Sequence, residues 1–365
     1  MIAAARFQAR HPLPAAALFS AGRFPAGTRL SPGRPARASR LSAGRLLPGS
    51  RLSSGRALPA FILAASLALL PTVGPALAAP GAERPAATAP AEPPAGAPAA
   101  VSSGDPAGGD TEGWRPLAAG LELGRFTASR PARLGDSRLA VLRIDPRDWA
   151  LELAGLDDDE PPGGRTARQW SEQRGYAAAI NAGMFATDYR THIGYARSPD
   201  RVWSDRLNGY RSVAAFDPRA AGVPLFRIFD LDAPGVTMPG ILEAYGSAVQ
   251  NLRLIERPGR NRWSRQERMW SEAALGEDDR GRILFLFCRA PYSMHDLNEE
   301  WLALGVVCAQ HLEGGPEAQL FIRVGDFVAE FVGSFETAFT ESDANAAAWP
   351  VPNVLGLRPR AGARE

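Results

Sequence analysis

The pattern of apolar and polar positions predicts a domain of many short strands with a few short helices between them. Residues 137–145 and 149–155 are apolar, alternating stretches on either side of a turn at 146–148, which is typical of two strands. Further strands are predicted at YAAAINAGMF (176–185), SVAAFD (212–217), LFRIFD (225–230) and SAVQNLRLI (247–255). The first of these four ends in a glycine loop.

Two hairpins and a strand between them are predicted further along the chain. WSEAALG (270–276) and RILFLFC (282–288) flank an acidic turn that ends in Gly281, as hairpin turns prefer. The second hairpin turns at 325–326, between QLFIRV and FVAEFV. Between the hairpins, VVCAQHLEGG (306–315) reads as a buried strand that ends in a second glycine loop.

Three short helices complete the predicted elements. TARQWSEQRG (166–175) has Thr166 in the N-cap position, and PGILEAYG (239–246) has proline near its start. HDLNEEWLALG (295–305) keeps its large apolar residues at helical spacing and ends at Gly305. The predicted class is therefore α+β, with a mixed sheet core and short covering helices.

Charge divides the chain into two different parts. The whole chain has 41 basic and 39 acidic residues, but residues 1–80 contain ten arginines and no acid. This leaves 31 basic and 39 acidic residues in 81–365, a net charge of −8. An excess of basic residues would indicate a nucleic-acid or anionic membrane partner, and residues 81–365 have an excess of acidic residues instead. We therefore expect no nucleic-acid partner.

The arginine-rich N-terminal segment is followed by an apolar segment typical of a secretory signal. Residues 60–79 are apolar, follow Arg51 and Arg56, and end in small residues, while Pro71 interrupts the 20-residue run that a membrane helix needs. We expect cleavage near Ala79, export to the periplasm or outside the cell, and no stable membrane insertion. Residues 1–50 are either a disordered arm or a gene start placed too early.

Composition then gives the predicted domain boundaries. Residues 1–79 form the arginine-rich extension and signal peptide, and the Ala/Pro/Gly-rich residues 80–113 form a disordered linker. Residues 114–360 remain as one domain-sized segment. Its two cysteines, Cys288 and Cys308, both follow apolar runs, which favours buried free thiols, although export would permit a disulfide.

The two glycine loops carry the candidate chemistry. In the second loop, His311 and Glu313 lie two apart on a strand and therefore share a face, and Glu317 follows just beyond the turn. Two carboxylates and a histidine form a workable acid–base set. Glycines let the backbone approach a substrate closely, so Gly183 in the first loop and 314–315 in the second are candidate substrate contacts.

The order of these pieces resembles the phosphodiester glycosidase family, in a divergent exported bacterial form. The family's Asn-Gly-Gly-Phe-Phe-like motif corresponds to 181–185, its Arg-Thr-Ala-Ile-Gly to 272–276, and its Asn-Leu-Asp-Gly-Gly-Gly-Ser-Ala to 311–318. The resemblance covers most of 176–332. It implies a glycosidase-like fold and hydrolysis of a glycosyl phosphodiester or a related envelope glycan linkage. The implied partner is a small-molecule or glycan substrate, with no cofactor and no metal.

Four positions depart from the family pattern and make the site more acidic. Glu272 stands where the family has arginine, His311 where it has asparagine, Glu313 where it has aspartate and Glu317 where it has serine. The resemblance implies Glu313 as the principal acid, base or nucleophile, with Glu317 or His311 as partner. The predicted substrate-binding residues are Asn181, Gly183, His192, Arg253, Arg268, Glu272, Arg289, Gly314 and Gly315, the three arginines being candidates to meet a phosphate.

Two other functions remain open from the sequence. A non-catalytic envelope glycan-binding protein on the same fold is favoured by the lost arginine and serine, with Trp203 and Trp263 as candidate sugar-stacking platforms. A metal-assisted hydrolase would use four side chains whose scattered spacing lacks a compact motif such as H-E-x-x-H: Asp188, His192, His311 and Glu313.

Overall fold

The computed structural model describes residues 112–362. The predicted signal peptide (1–79) and almost all of the predicted linker (80–113) lie outside the described residues. The first strand begins at Gly113, one residue before the predicted start of the domain at Trp114.

The described residues form eighteen strands and three helices, named here in chain order. The strands are β1 Gly113–Ala118, β2 Leu121–Thr127, β3 Arg138–Ile144, β4 Trp149–Gly155, β5 Ala178–Asn181, β6 Ala196–Arg197, β7 Val202–Ser204, β8 Ser212–Pro218, β9 Phe226–Asp230, β10 Tyr245–Asn251, β11 Arg253–Glu256, β12 Arg260–Asn261, β13 Trp270–Asp278, β14 Ile283–Tyr292, β15 Val306–Gly314, β16 Gln319–Val324, β17 Phe327–Val332 and β18 Asn353–Pro359. The helices are α1 Ala167–Arg174, α2 Met238–Ala244 and α3 Met294–Ala303, and a single 3-10 turn spans Gly315–Glu317.

The strands form three sheets. The largest has eight strands in the order β1-β2-β3-β14-β13-β15-β11-β12, which places β13 and β15 side by side in its interior. The second has the order β7-β6-β10-β8-β9, and the third β17-β16-β5-β18-β4. In the third sheet, β18 pairs with β5 on one side and β4 on the other.

Strands dominate the structure, so the predicted α+β class holds only in the coarse sense that short helices accompany a sheet core. The prediction of a mixed sheet is wrong, because each pairing within the three sheets is antiparallel. Short connections explain this for neighbours that follow each other along the chain, such as β1 and β2 or β13 and β14, since an antiparallel pair needs only a turn whereas a parallel pair needs a long crossover.

The three predicted helices are present, and their ends follow from their sequences. Thr166 caps α1 in a capping box with Gln169, and Gly175 ends that helix in the left-handed conformation at φ 68°. Ser293 caps α3, whose Leu297 and Trp301 are fully buried. The helical spacing of these apolar side chains therefore turns one face of α3 toward the sheet core.

The main apolar core is shared by all three sheets. Leu142 and Phe285 contribute from the first sheet, Phe216 from the second, and Leu153 and Ile180 from the third, each at most 4% exposed. Complete burial of an aromatic or branched apolar side chain stabilises a fold by about 1.5–3 kcal/mol. The free energy that holds these sheets together therefore comes from side chains at alternate positions of many short strands.

Both predicted hairpins are confirmed, while one predicted strand is divided. β13 pairs with β14, and β16 pairs with β17. The single strand predicted at 247–255 is wrong, because the chain leaves the second sheet after β10 and enters the first as β11. Cys288 and Cys308 are buried free thiols, as the apolar pattern predicted.

Within residues 112–362, the structure contains no helix with the length and apolarity needed to cross a membrane.

Candidate functional site

The candidate site is built where β13 and β15 run side by side. Glu272 lies opposite Gly314, and Ala273 lies opposite Glu313. A register shift follows, so that Ala274 lies opposite His311. Such an irregularity re-aims the side chains near a strand end. The strands thus bring the three departures at 272, 311 and 313 into one small region.

Glu272 and His311 form a buried pair across these two strands. His311 Nδ1 lies 2.7 Å from Oε1 and 2.9 Å from Oε2 of Glu272. Trp270 Nε1 donates a further hydrogen bond of 2.7 Å to Oε2 of the same carboxylate. Glu272 is 0% exposed, and its carboxylate faces His311 and Trp270, so its predicted contact with a substrate has no support in this structure.

The electrostatic surroundings favour a protonated His311. Burial alone would lower the pKa of His311, but the Glu272 carboxylate, helped by Glu313 and Glu336, raises that pKa above its usual range. Burial also raises the pKa of Glu272, and this rise is opposed by His311 and by the Trp270 hydrogen bond. We take the pair as imidazolium and carboxylate because both hydrogen-bond partners of Glu272 stabilise its charged form.

Glu313 is two residues beyond His311 on β15. Its Oε1 accepts a hydrogen bond of 3.1 Å from the backbone N–H of Gly314. Burial raises the pKa of Tyr210, and the charge of Glu313 adds to the rise. The Tyr210 hydroxyl lies 3.9 Å from Sδ of Met184, which belongs to the first loop.

Glu317 lies on the 3-10 turn after β15 and is completely buried. The Tyr189 hydroxyl donates a hydrogen bond of 3.1 Å to Glu317 Oε1. Tyr189 belongs to the segment after the first loop and packs against Phe185 with ring centroids 5.1 Å apart. Glu317 is thus a buried contact between the two loops. Glu313, at 7% exposed, is the carboxylate nearer to solvent.

The side chain of Asn181, in the first loop, forms hydrogen bonds to backbone groups that follow the second loop. Its Nδ2 donates 3.0 Å to the carbonyl of Glu317, and its Oδ1 accepts 2.9 Å from the N–H of Gln319. Asn181 is only 1% exposed. The sequence predicted that this side chain orients substrate, whereas the structure shows it acting on the site through the second loop.

Glycine is required at several points where the loops pack closely. A Cβ on Gly183, which has φ +151°, would lie 2.3 Å from Asn251 Oδ1 and 2.7 Å from a ring carbon of His192. A Cβ on Gly314 would lie 2.7 Å from the Trp270 ring, and one on Gly315, at φ +65°, would lie 2.7 Å from a carboxylate oxygen of Glu336. These glycines admit neighbouring side chains, and their predicted contact with a substrate stays a prediction.

Two of the three candidate arginines are engaged elsewhere. Arg253 forms an ion pair of 2.6 Å with Asp230. Arg289 pairs with Asp343 at 2.7 Å and donates to the backbone carbonyls of Val332 and Asn345. Both guanidinium groups have carboxylate partners in this structure, and their contact with a phosphate stays a prediction.

The third candidate arginine, Arg268, is exposed on the loop before β13. It is two residues from Trp270, whose indole bonds Glu272. Its role toward a phosphate remains a prediction.

The other predicted site residues support the loops. His192 is 2% exposed and pairs with Phe185 through an isolated β-bridge. Burial lowers the pKa of His192 to about 4, so its ring is neutral near pH 7. The carboxylate of Asp188 accepts hydrogen bonds from the backbone of Arg190 and from Thr191, which closes its own turn.

The two tryptophans proposed as stacking platforms are also partly buried. Trp203 Nε1 donates 3.3 Å to the carbonyl of Leu156. Trp263 Nε1 donates 2.9 Å to the carbonyl of Arg253, and its ring meets Trp270 edge-on at 6.2 Å. Among residues 112–362, no group of three or more His, Cys, Asp or Glu side chains is arranged to hold a metal ion.

Sequence reasoning missed Trp270, Tyr189, Tyr210 and Glu336. Trp270 had a usable signal, because it lies two residues before Glu272 on a predicted strand and must share its face. Tyr189 and Tyr210 lie in irregular loops, and Glu336 follows β17, so no periodic pattern connects them to the site.

Comparison with known proteins indicates the family and the fold of this chain. Residues 174–358, about half of the chain, match the family model described as phosphodiester glycosidase. No curated protein matches the chain. The catalytic domain of the zebrafish N-acetylglucosamine-1-phosphodiester alpha-N-acetylglucosaminidase, in a form auto-inhibited by its pro-peptide, is 13% identical with a TM-score of 0.51, covering 68% of this chain and 87% of that one.

A hypothetical protein from Synechocystis is 16% identical with a TM-score of 0.45, covering 69% of this chain and 64% of that one. The zebrafish structure supports the fold, and the matched family model includes both glycine loops and every strand from β5 to β17. The family suggests a glycosidase-type hydrolase with a glycan-type substrate. The match extends over half of the chain, and this protein belongs to the phosphodiester glycosidase family.

Proposed function

We propose that this protein is an exported hydrolase that cleaves a glycosyl phosphodiester or a related glycan linkage of the cell envelope. The observation that supports it most is that hydrogen bonds to Glu317 join the two glycine loops, in the segment that also carries Glu313 and His311, the partner of Glu272. Hydrolysis of a glycosidic bond needs one group that donates a proton to the leaving oxygen and another that accepts a proton from water or attacks the sugar. A carboxylate and an imidazolium meet this need.

Glu313 is the proposed base or nucleophile. The N–H of Gly314 donates a hydrogen bond to the Glu313 side chain, and the charge of Glu313 acts on His311 two residues earlier on β15. Glu317 lies fully buried behind it and holds the loop together through Tyr189. We assign Glu317 the role of partner to Glu313, and Gly183 and Gly314–Gly315 the role of backbone that shapes the pocket.

Export and domain organisation belong to the same proposal. The apolar segment 60–79 supports secretion, residues 80–113 would form a linker, and 114–360 would be the mature working domain in the periplasm or outside the cell. Mass determination of the N-terminus of the protein recovered from the producing cell tests this. A mature chain that begins near residue 80 supports export with cleavage, and a chain that still carries residues 60–79 contradicts it.

The catalytic assignment is tested with a model N-acetylhexosamine 1-phosphodiester and the full chain. Glu313→Gln removes the charge at nearly constant volume and should reduce kcat/KM by roughly 10²–10⁴-fold. Glu243→Gln is the matched control, because Glu243 is exposed on α2 and should leave turnover unchanged. Full turnover by Glu313→Gln would contradict the assignment.

A second function, glycan binding without catalysis, is favoured by one observation. The position of the family's arginine is occupied by a buried carboxylate, and two of the three candidate arginines are held in ion pairs. A glycan array combined with product analysis separates the two functions. Retention of a glycan without release of product supports a binding protein, and release of sugar or phosphate monoester supports the hydrolase.

A further inference from the structure

Glu272 and His311 form an acid–base pair between two neighbouring strands. Glu272 is on β13, and His311 is on β15. His311 Nδ1 lies 2.7 and 2.9 Å from the two oxygens of Glu272. The resemblance to the family implies other residues at both positions, so the pair is a feature of this chain.

The pair is built to hold the imidazole in one orientation. Glu272 is 0% exposed, and a buried carboxylate is strongly unfavourable unless charged or hydrogen-bonded partners surround it. Trp270 supplies one such partner with a hydrogen bond of 2.7 Å, and its ring also meets the His311 ring edge-on at 6.3 Å. The carboxylate and the indole together restrict rotation of the histidine ring.

The pair uses only one nitrogen of the ring. Nδ1 faces Glu272, so Nε2 on the opposite side of the ring takes no part in the pair. The charged groups that influence His311 are Glu272 on β13, Glu313 on its own strand and Glu336 after β17. All three are acidic, and together they raise the pKa of His311 against the effect of burial.

We propose that Glu272 is a positioning residue that holds His311 as the proton donor of the hydrolysis, with Nε2 directed at the oxygen between sugar and phosphate. This role rests on the proposed function. Water adds to the anomeric carbon while the bond from that carbon to the phosphate oxygen breaks, and the bonding electron pair stays on the oxygen. His311 Nε2 gives its proton to that oxygen, and Glu313 takes a proton from the water. Solvent exchange then returns both groups to their starting states.

The first experiment titrates the histidine rings of the full chain, labelled with ¹⁵N and ¹³C in histidine, and measures kcat/KM on the model phosphodiester over the same pH range. In the wild type, the alkaline limb of kcat/KM should coincide with the titration of His311. In Glu272→Gln, both should move to lower pH together, and kcat should fall by about 10²-fold with little change in KM. Glu272→Asp should restore part of both.

Glu300→Gln is the matched control. Glu300 is a buried carboxylate, 6% exposed, but it bonds Ser129 instead of the site. It should leave the His311 titration unchanged. If Glu272→Gln left the His311 titration and the alkaline limb where they are in the wild type, the positioning role would be overturned while the proposed function stood.

A double-variant cycle tests the coupling without depending on the fold of Glu272→Gln alone. His311→Asn removes the proton donor, so it should lose the alkaline limb and lower kcat at least as far as Glu272→Gln does. The double variant E272Q/H311N should be about as active as His311→Asn, because Glu272 acts only through His311. Full additivity of the two losses would overturn the proposal. Absence of hydrolysis by the wild type would overturn the proposed function and the proton-donor role with it.

Discussion

Asn181 provides the sharpest test of how the two glycine loops are joined. Its side chain bonds the carbonyl of Glu317 at 3.0 Å and the N–H of Gln319 at 2.9 Å, and both partners are buried. Asn181→Ala removes both bonds at once. The carbonyl of Glu317 keeps a weaker bond of 3.3 Å from the side chain of Gln319, but the N–H of Gln319 loses its side-chain acceptor.

The expected cost follows from these two partners. A buried N–H that loses its acceptor costs about 1–3 kcal/mol, and loss of one of two bonds at a carbonyl costs about 1 kcal/mol. The variant should therefore lose about 2–4 kcal/mol of unfolding free energy. For a domain of this size, each kcal/mol lowers Tm by roughly 2–4 °C, so a fall of about 4–16 °C is expected.

Thermal and urea unfolding of the full chain measure this loss, with Asn208→Ala as the matched control. Asn208 also makes two side-chain hydrogen bonds, 3.3 Å to the carbonyl of Ile193 and 2.8 Å from the N–H of Tyr210, but it is half-buried in a loop. Water can replace these bonds, so the control should lose no more than about 1 kcal/mol.

The activity of the same variants completes the test. Because Asn181 holds the turn that follows Glu313, kcat/KM on the model phosphodiester should fall in Asn181→Ala even at temperatures where the variant is fully folded. Equal stability losses in the two asparagine variants, or full activity of folded Asn181→Ala, would refute the conclusion that the hydrogen bonds of Asn181 hold the two loops together.

Three further predictions concern the packing and titration of buried groups. Gly333→Ala should lose about 1–3 kcal/mol in urea unfolding, because its Cβ would lie 2.1 Å from the carbonyl oxygen of Gly315, whereas Gly209→Ala, with nothing within 4 Å, should be nearly neutral. Burial raises the pKa of the thiols, that of Cys308 to about 12, so a thiol reagent at pH 8 should label neither Cys288 nor Cys308 until urea unfolds the chain; rapid labelling of folded protein would contradict this. Burial lowers the pKa of His192 in the folded protein to about 4, whereas in the unfolded chain it is about 6.5. Between these two pH values the unfolded chain binds a proton at His192 that the folded protein does not. Stability should therefore fall with decreasing pH less steeply in His192→Gln than in the wild type, and equal slopes in the two proteins would contradict the neutral buried ring.

The sequence identified the strands whose apolar pattern is strong and missed those whose pattern is interrupted. β1 contains Pro116, which is tolerated there because β1 is at the edge of its sheet. β18 contains Gly356, and a Cβ at this position would lie 2.3 Å from the Tyr176 ring. Each interruption is explained by a neighbour in space, which a pattern along the chain does not reveal.

The sequence predicted the two loops that form the site, but it did not predict which side chains in them contact each other. Strand periodicity correctly placed His311 and Glu313 beside a glycine turn. It gave no sign that Glu272 is the partner of His311, because their contact depends on the register between β13 and β15 and on the irregularity within it. The ion pair of Arg253 could not be read from the sequence for the same reason, since its partner Asp230 is on β9.

The position of β18 also determines when the domain can fold during its synthesis. Leu355 pairs with Leu153 on one side and with Ile180 on the other, so the third sheet lacks an interior strand until residues 353–359 have left the ribosome. Contacts of such long sequence separation form slowly because a large loop must close first. The nascent chain therefore remains incompletely folded through nearly all of its translation, and a stop codon only a few residues before Asn353 would leave β4 and β5 without the strand that joins them.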